Sequence, residues 1–401
     1  MDDSAPPRAV LWLILASATL TVMAGAIIGP VVRQIQLGVG VSESLAGLII
    51  TTHGILIVLV SPVAGAAIDR MGPRKPLVGG LLVYGAGGGA GLLVDEFVPL
   101  LLSRVVLGAG VAFVYTAVTV LIFTLYEGQR MNRALGLRSS ANSMGAAVWP
   151  LVGGALGAVS WQAPFGVYLV AVPLGLLAVV TVPETSHGRA TDGGSRPGSD
   201  VVAELRDLLA LFRRIPAIPA VYLLYFGANV FLYVVVVFYP QLLAGLGVTS
   251  TVAVGLYLAA NGTSSAVAAA LYDRLLARVG RPVLALAAFL LWAGGFGLAV
   301  LVDSPVVAGA PVVLLGLGTG LVFPATFGWI EALAPADRQG SLSSYVASAG
   351  YLGQFVSPLS FGAVIPFFGI RGVFGVAAVA AVAGLALLGG VLAIRGNASA
   401  P

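Results

Sequence analysis

The sequence predicts an all-α membrane protein: twelve transmembrane helices in two pseudo-symmetric six-helix bundles. Three observations predict it. Hydrophobic residues make up 59% of the 401-residue chain and charged residues only 9%, with mean hydropathy +1.02. A soluble chain carries about 25% charge and, at this length, splits into domains with polar surfaces. Here there is too little charge to cover such surfaces, so lipid is the solvent. Apolar windows of the roughly 20 residues that a spanning helix needs recur along the whole chain. Short echoes also relate the first half of these windows to the second.

The windows of the first half fall near residues 9–31, 45–67, 75–94, 97–123, 134–159 and 161–182. Those of the second half fall near 217–243, 251–271, 281–302, 305–330, 340–365 and 372–394. Each is rich in Gly, Ala, Leu and Val, and small residues let membrane helices approach closely. The alternating short strands of a β-barrel are absent from the pattern. Met1–Pro7 is short and acidic and the first window is long enough to remain as a span, so no cleaved signal is expected. The longest polar stretch, 183–216, opens PETSHGRATDGGSRPGSD. Its Gly, Ser, Pro and charge mark a cytoplasmic linker. The amphipathic piece Val201–Arg214 inside it is expected to lie on the membrane surface. The expected domains are therefore a six-helix bundle at 1–182, the linker at 183–216 and a second bundle at 217–401.

Charge sets the orientation. With the N-terminus in the cytoplasm, seventeen of the 20 Lys and Arg residues fall on the cytoplasmic side. That is the positive-inside pattern of a multi-pass protein of the cell membrane with both termini cytoplasmic. Arg138 is counted among the seventeen, Arg33 and Arg371 fall outside, and Arg104 lies within the fourth span. The net charge of +4 is scattered over short loops and does not signal nucleic acid. There is no cysteine, and of the two histidines His53 lies within a span and His187 in the linker. No metal site or cofactor is expected, and the absence of His-Glu-x-x-His, paired aspartates and a Gly-x-Ser-x-Gly elbow argues against an enzyme.

The halves echo each other. Ala66-Ala67-Ile68-Asp69-Arg70 returns as Ala270-Leu271-Tyr272-Asp273-Arg274. Arg130 precedes a span containing Pro150 at the spacing by which Arg338 precedes Pro358. Ala163-Pro164-Phe165-Gly166-Val167 matches Gly372-Val373-Phe374-Gly375-Val376. Duplicated six-span halves around a midplane site are a transporter plan.

Gly65–Leu77 reads GAAIDRMGPRKPL: a helix end, a tight turn at Gly72-Pro73 and a new helix start. Asp69 there can accept hydrogen bonds from the free amides of a neighbouring helix N-terminus, and Arg74 and Lys75 suit anionic headgroups. Gly65, Asp69, Arg70, Gly72, Arg74 and Lys75 match the loop between helices 2 and 3 that marks the major facilitator superfamily, and on these residues the chain resembles that family. The resemblance covers nearly the whole chain. It implies alternating access, with this loop locking and releasing the two halves. Leu102–Gly108 resembles the family's helix 4 motif around Arg104, with Leu107 where Gln is usual. Gly145–Gly154 resembles in part the helix 5 motif of exporters, with Pro150 preceded by Trp149 rather than Gly. A charge within a span usually faces protein or a cavity, so Arg104 is read either as a coupling residue or as one bonded to backbone carbonyls.

The resemblance also implies a cavity lined by helices 1, 4, 7 and 10. Helix 7 offers Tyr222, Tyr225, Asn229 and Tyr233 on one face. Helix 4 adds Tyr115 and Thr119 beside Arg104, and helix 10 adds Phe323 and Thr326. Phenols and an amide on one stripe suit a partly apolar, hydrogen-bonding solute. All 16 acidic residues fall outside the hydrocarbon core or at its edge, which favours a neutral or anionic substrate over a cationic one. His53 and Arg104, each about 10–12 Å deep from the outer side, are expected to be neighbours and are the candidates for proton coupling. The expected function is that of a secondary active transporter acting as a monomer. It moves a small neutral or anionic amphipathic solute by alternating access, in the efflux direction, with protons as candidate coupling ions. The alternatives are an importer of small organic anions and a non-transporting membrane sensor.

Overall fold

A computed structural model describes residues 8–184, 201–335 and 338–398. The chain divides into two compact units, Met1–Ala203 and Glu204–Pro401. In the first unit α1 (Arg8–Ala26) runs through a 3-10 turn at Gly29–Val31 into α2 (Val32–Val39). Then follow α3 (Glu43–Met71), α4 (Arg74–Gly89), α5 (Phe97–Leu125) and α6 (Gly128–Gly157). The 3-10 segment Ala163–Val170 and α7 (Ala171–Thr181) complete the sixth span. The second unit has α8 (Val201–Arg214), which begins at the unit boundary, α9 (Ala217–Gly245), α10 (Thr251–Leu301), α11 (Gly309–Leu333), α12 (Gln339–Gly362) and α13 (Ile365–Ala398).

Twelve spans result. Eight segments are long and apolar enough to cross a bilayer by hydropathy alone, one of them the 51-residue α10. Gly280, at φ 78° and ψ 163°, breaks α10 into two spans. The remaining three are α4, which is short and glycine-rich, α6, which carries Arg130, Arg133 and Arg138, and the serine-rich α12.

Glycine sets how closely the first bundle closes. A methyl at Gly87, Gly88 or Gly91 would collide with the Leu107 backbone, with Tyr168 or with Phe165. The α4 backbone therefore sits directly on α5 and on the 3-10 segment. Gly153 of α6 lies against the carbonyl of Ile27 in the same way. Three aromatic side chains then hold α1 by its main chain. Tyr84 donates to the Leu20 carbonyl at 2.6 Å, Tyr168 to Ala24 at 2.8 Å, and Trp149 Nε1 to Thr19 at 3.1 Å. Each buries an aromatic body while giving its polar tip a partner. Pro150 sits inside a continuous α6, on the stretch facing α1.

In the second unit the fully buried Trp292 meets Phe231 at 5.2 Å and Phe289 at 5.4 Å. Asn261 Nδ2 donates to the Val312 carbonyl at 3.0 Å, joining α10 to α11. Arg371 donates to the Val302 carbonyl and to Asp303 Oδ1, both at 2.8 Å, at the start of the last span.

The repeat shows in backbone detail. Ser42 and Ser250 each cap the second span of their unit, accepting from the third residue on at 3.4 Å. Each follows a glycine of positive φ, Gly40 or Gly247. Gly72, at φ 73° and ψ 165°, matches Gly280 almost angle for angle. That pairing corrects the register of one echo. Asp69 stands three residues before its glycine and Asp273 seven before its own, so Ala277, not Asp273, occupies the position of Asp69. The two Asp-Arg pairs differ by one helical turn.

The apolar residues Leu208, Leu211 and Phe212 of α8 pack on a buried cluster of Ile218, Val221, Ile330, Leu342 and Val346, and Phe212 meets the Tyr222 ring edge-on at 5.7 Å. Arg206, Arg213 and Arg214 stay exposed. The preceding linker residues 185–200 lie outside the described residues.

Candidate functional sites

The loop between α3 and α4 turns at Gly72, whose left-handed φ suits a residue without Cβ. Arg74 then reaches back to the end of α7. It donates to the Val179 carbonyl and pairs with Glu184 at 3.5 Å. Val179 offers one of the last free carbonyls of α7, where a cation is favoured by the helix dipole. Asp69 is exposed on the last turn of α3 and has no hydrogen bond or ion pair among the described residues, so the expected bonds to neighbouring amides are not made here. Arg70, beside it, is exposed and engaged. Asp273 is exposed.

Arg104 is fully buried, seven residues into α5. Its Nη2 donates to the carbonyls of Gly87 at 3.1 Å and Gly88 at 2.9 Å, and its Nε to Ser103 Oγ at 3.2 Å. The guanidinium lies over the rings of Phe165 at 4.9 Å and Tyr168 at 5.0 Å. The glycines of α4 leave their carbonyls within reach, and the aromatic faces accept the charge. Of the two readings of this residue, the contacts are those of an arginine held by backbone carbonyls inside the bundle. His53 is 2% exposed, and its Nδ1 lies 2.7 Å from the Ile50 carbonyl. A carbonyl only accepts, so that nitrogen carries the proton. Gly108, one turn beyond Arg104 on α5, packs on the His53 backbone, which sets the two residues on facing stretches of α5 and α3.

The proposed substrate residues separate into two clusters, one in each unit. In the first, Thr119 Oγ1 donates to the Tyr115 carbonyl at 2.7 Å and accepts from Arg138 Nη1 at 2.9 Å. Arg138 also lies 5.0 Å from the centre of the Tyr115 ring. Arg138, counted on the cytoplasmic side within the 134–159 window, is ten residues into α6, half-buried, and bonded to α5.

In the second unit, Tyr225 meets Phe323 at 5.1 Å and Phe327 at 5.6 Å, ring to ring. Asn229 donates to the Tyr225 carbonyl at 2.9 Å and accepts from Gln354 Nε2 of α12 at 3.0 Å. Tyr225 and Asn229 straddle Gly350, whose lack of a side chain lets α12 approach. The other three are engaged within the unit. Tyr222 donates to the Leu342 carbonyl at 2.9 Å. Tyr233 is 8% exposed, and Thr326 is fully buried on the Val322 carbonyl of its own helix. Arg138, Phe327 and Gln354 are the members that sequence reading missed. Phe327 was within its reach, four residues after Phe323.

The buried polar and charged side chains are Ser, Thr, Asn and Gln, with His53 and Arg104; none is a carboxylate among the described residues. No group of His, Asp or Glu that could hold a metal is present among them either. Two six-span bundles with paired turns, polar aromatic clusters and one internal cation define a duplicated helical membrane protein of transporter type. The sequence matches the Major Facilitator Superfamily profile over residues 14–358, and again over 253–398. The chain belongs to that superfamily of membrane transporters. It is 26% identical over 375 residues to the class C tetracycline resistance protein of Escherichia coli, covering 88% of this chain and 89% of that one. It is 28% identical over 161 residues to the bacillibactin exporter of Bacillus subtilis, covering 38% and 40%. Its fold is similar to that of the nucleoside transporter NupG, with TM-score 0.78 and 11% identity over 96% of this chain and 99% of that one.

Proposed function

We propose that the chain is a secondary active exporter of a small neutral or anionic amphipathic solute, working as a monomer by alternating access in the cytoplasmic membrane with both termini inside. The observation that carries the substrate class is the buried polar set, which among the described residues holds a cation and no carboxylate. A cationic solute leaving water for such an interior finds no opposite charge, and that costs too much. Groups suited to a neutral or anionic solute with aromatic or hydrogen-bonding surface stand in each unit by itself: Tyr115, Thr119 and Arg138 in the first, and Tyr225, Asn229, Phe323 and Gln354 in the second. Efflux is favoured by the exporter and resistance protein among the relatives. The importer reading loses one support, because Arg104 is already held by carbonyls and rings. His53, buried beside Arg104, is the candidate proton carrier.

The test is transport in proteoliposomes of fluorescent neutral, anionic and cationic amphiphiles of matched size, with and without a pH gradient. Neutral or anionic probes are expected to move at least tenfold faster than the cationic one. Preferential movement of the cation overturns the reading.

A further inference from the structure

A cleft of about 680 Å³ opens in the first unit between α1 and α6, closed at one end by Tyr126. Its two walls differ along their length. At the N-terminal end of both helices stand Arg8, Arg130 and Arg133, all exposed. Beyond them the lining is Leu11, Trp12, Leu15, Leu137, Ala141 and Met144 with Ser140 alone polar. At 1.5 Å per residue the α6 wall from Arg130 to Met144 runs about 21 Å. Trp12 and Met144 are 69% and 61% exposed along it.

Two observations point to a ligand. Three guanidiniums line one cleft, and no Asp or Glu among the described residues lines it with them; like charges brought together in this way favour an anion. Independently, Tyr126 is 8% exposed, and its hydroxyl is buried with no hydrogen-bond partner among the described residues. A buried hydroxyl left unpaired is unfavourable, so a bound acceptor at this end of the cleft would offset that cost. Burial also pushes the phenol above its ordinary value, which keeps it a donor.

We infer that this cleft binds an anionic phospholipid, its phosphate held by Arg8, Arg130, Arg133 and the Tyr126 hydroxyl and its acyl chain laid along the apolar wall between α1 and α6. The length of that wall selects a lipid over a free anion, because an inorganic phosphate would occupy only the basic end and leave the groove unfilled. Guanidiniums fork onto phosphate oxygens, so the headgroup contact is charge-assisted. The inference does not depend on what the protein transports. The proposed orientation only decides that the lipid comes from the cytoplasmic leaflet, whose surface is anionic.

The experiment uses the full-length protein purified in an uncharged detergent. Its Tm is followed on adding phosphatidylglycerol, phosphatidylcholine of the same chains, or inorganic phosphate. A ligand of the folded state raises Tm, so phosphatidylglycerol is expected to raise it by several degrees and the other two to leave it unchanged. The double variant R130Q/R133Q, and separately Y126F, should lose at least half of that rise. R213Q/R214Q on α8 should keep it. Equal shifts with phosphatidylcholine, a full shift with phosphate alone, or a full phosphatidylglycerol shift in R130Q/R133Q each overturn the inference. Should R130Q/R133Q not fold, native mass spectrometry of the wild type decides. Retention of phosphatidylglycerol after phosphatidylcholine has been stripped supports the site, and equal retention overturns it.

Discussion

A guanidinium inside an apolar helix must find acceptors, because a buried donor left unpaired forfeits its hydration. Arg104 finds two carbonyls on α4, a hydroxyl on its own helix and two aromatic faces. A lysine carries the same charge but cannot fork onto two carbonyls while lying flat on two rings. Arg104→Lys is therefore expected to destabilise the protein by about 2–3 kcal/mol, read as a fall in Tm of the detergent-purified protein. A wild-type Tm would show that the contacts do little. The depth and charge of Arg104 were legible in the sequence, but its partners were not, since Gly87, Gly88, Phe165 and Tyr168 come from other segments. The partner of Arg138 was hidden for the same reason, since Thr119 comes from α5 while Arg138 stands on α6.

For the helices, small residues decide where backbones meet. Gly153 touches the Ile27 carbonyl, while Gly136 on the same helix has nothing within 4 Å of its would-be Cβ. Gly153→Ala should part α6 from α1 and cost at least the roughly 1–3 kcal/mol of an overpacked core. Gly136→Ala should be neutral or slightly stabilising, since alanine is the better helix former. Equal Tm values for the two variants would contradict the contact. Reading the sequence in windows found all twelve segments, although α4, α6 and α12 are less apolar than the others. It could not say that α8 would turn its apolar face onto α9, α11 and α12, because an amphipathic stripe looks the same whether it faces lipid or protein.

For the whole molecule, the loop at Gly72 and its counterpart at Gly280 bend the chain identically, yet only the first carries an aspartate three residues earlier. The two units thus share a hinge geometry and differ in charge. If Asp69 acts as a latch, Asp69→Asn should slow transport in proteoliposomes several-fold and leave Tm and insertion unchanged; wild-type rates would remove Asp69 from the mechanism. The sequence revealed the duplication but misaligned it by a turn. Letters alone favoured the repeated Asp-Arg pair, and only backbone angles identify the glycine as the shared landmark.

The grip on α1 has a consequence of its own. Tyr84, Trp149 and Tyr168 hold main-chain oxygens at Leu20, Thr19 and Ala24, and every amino acid supplies such an oxygen. Those three attachments therefore survive a change of side chain at the positions they hold. Over evolutionary time α1 can be rewritten one residue at a time, so its side chains are free to diverge while the helix keeps these anchors.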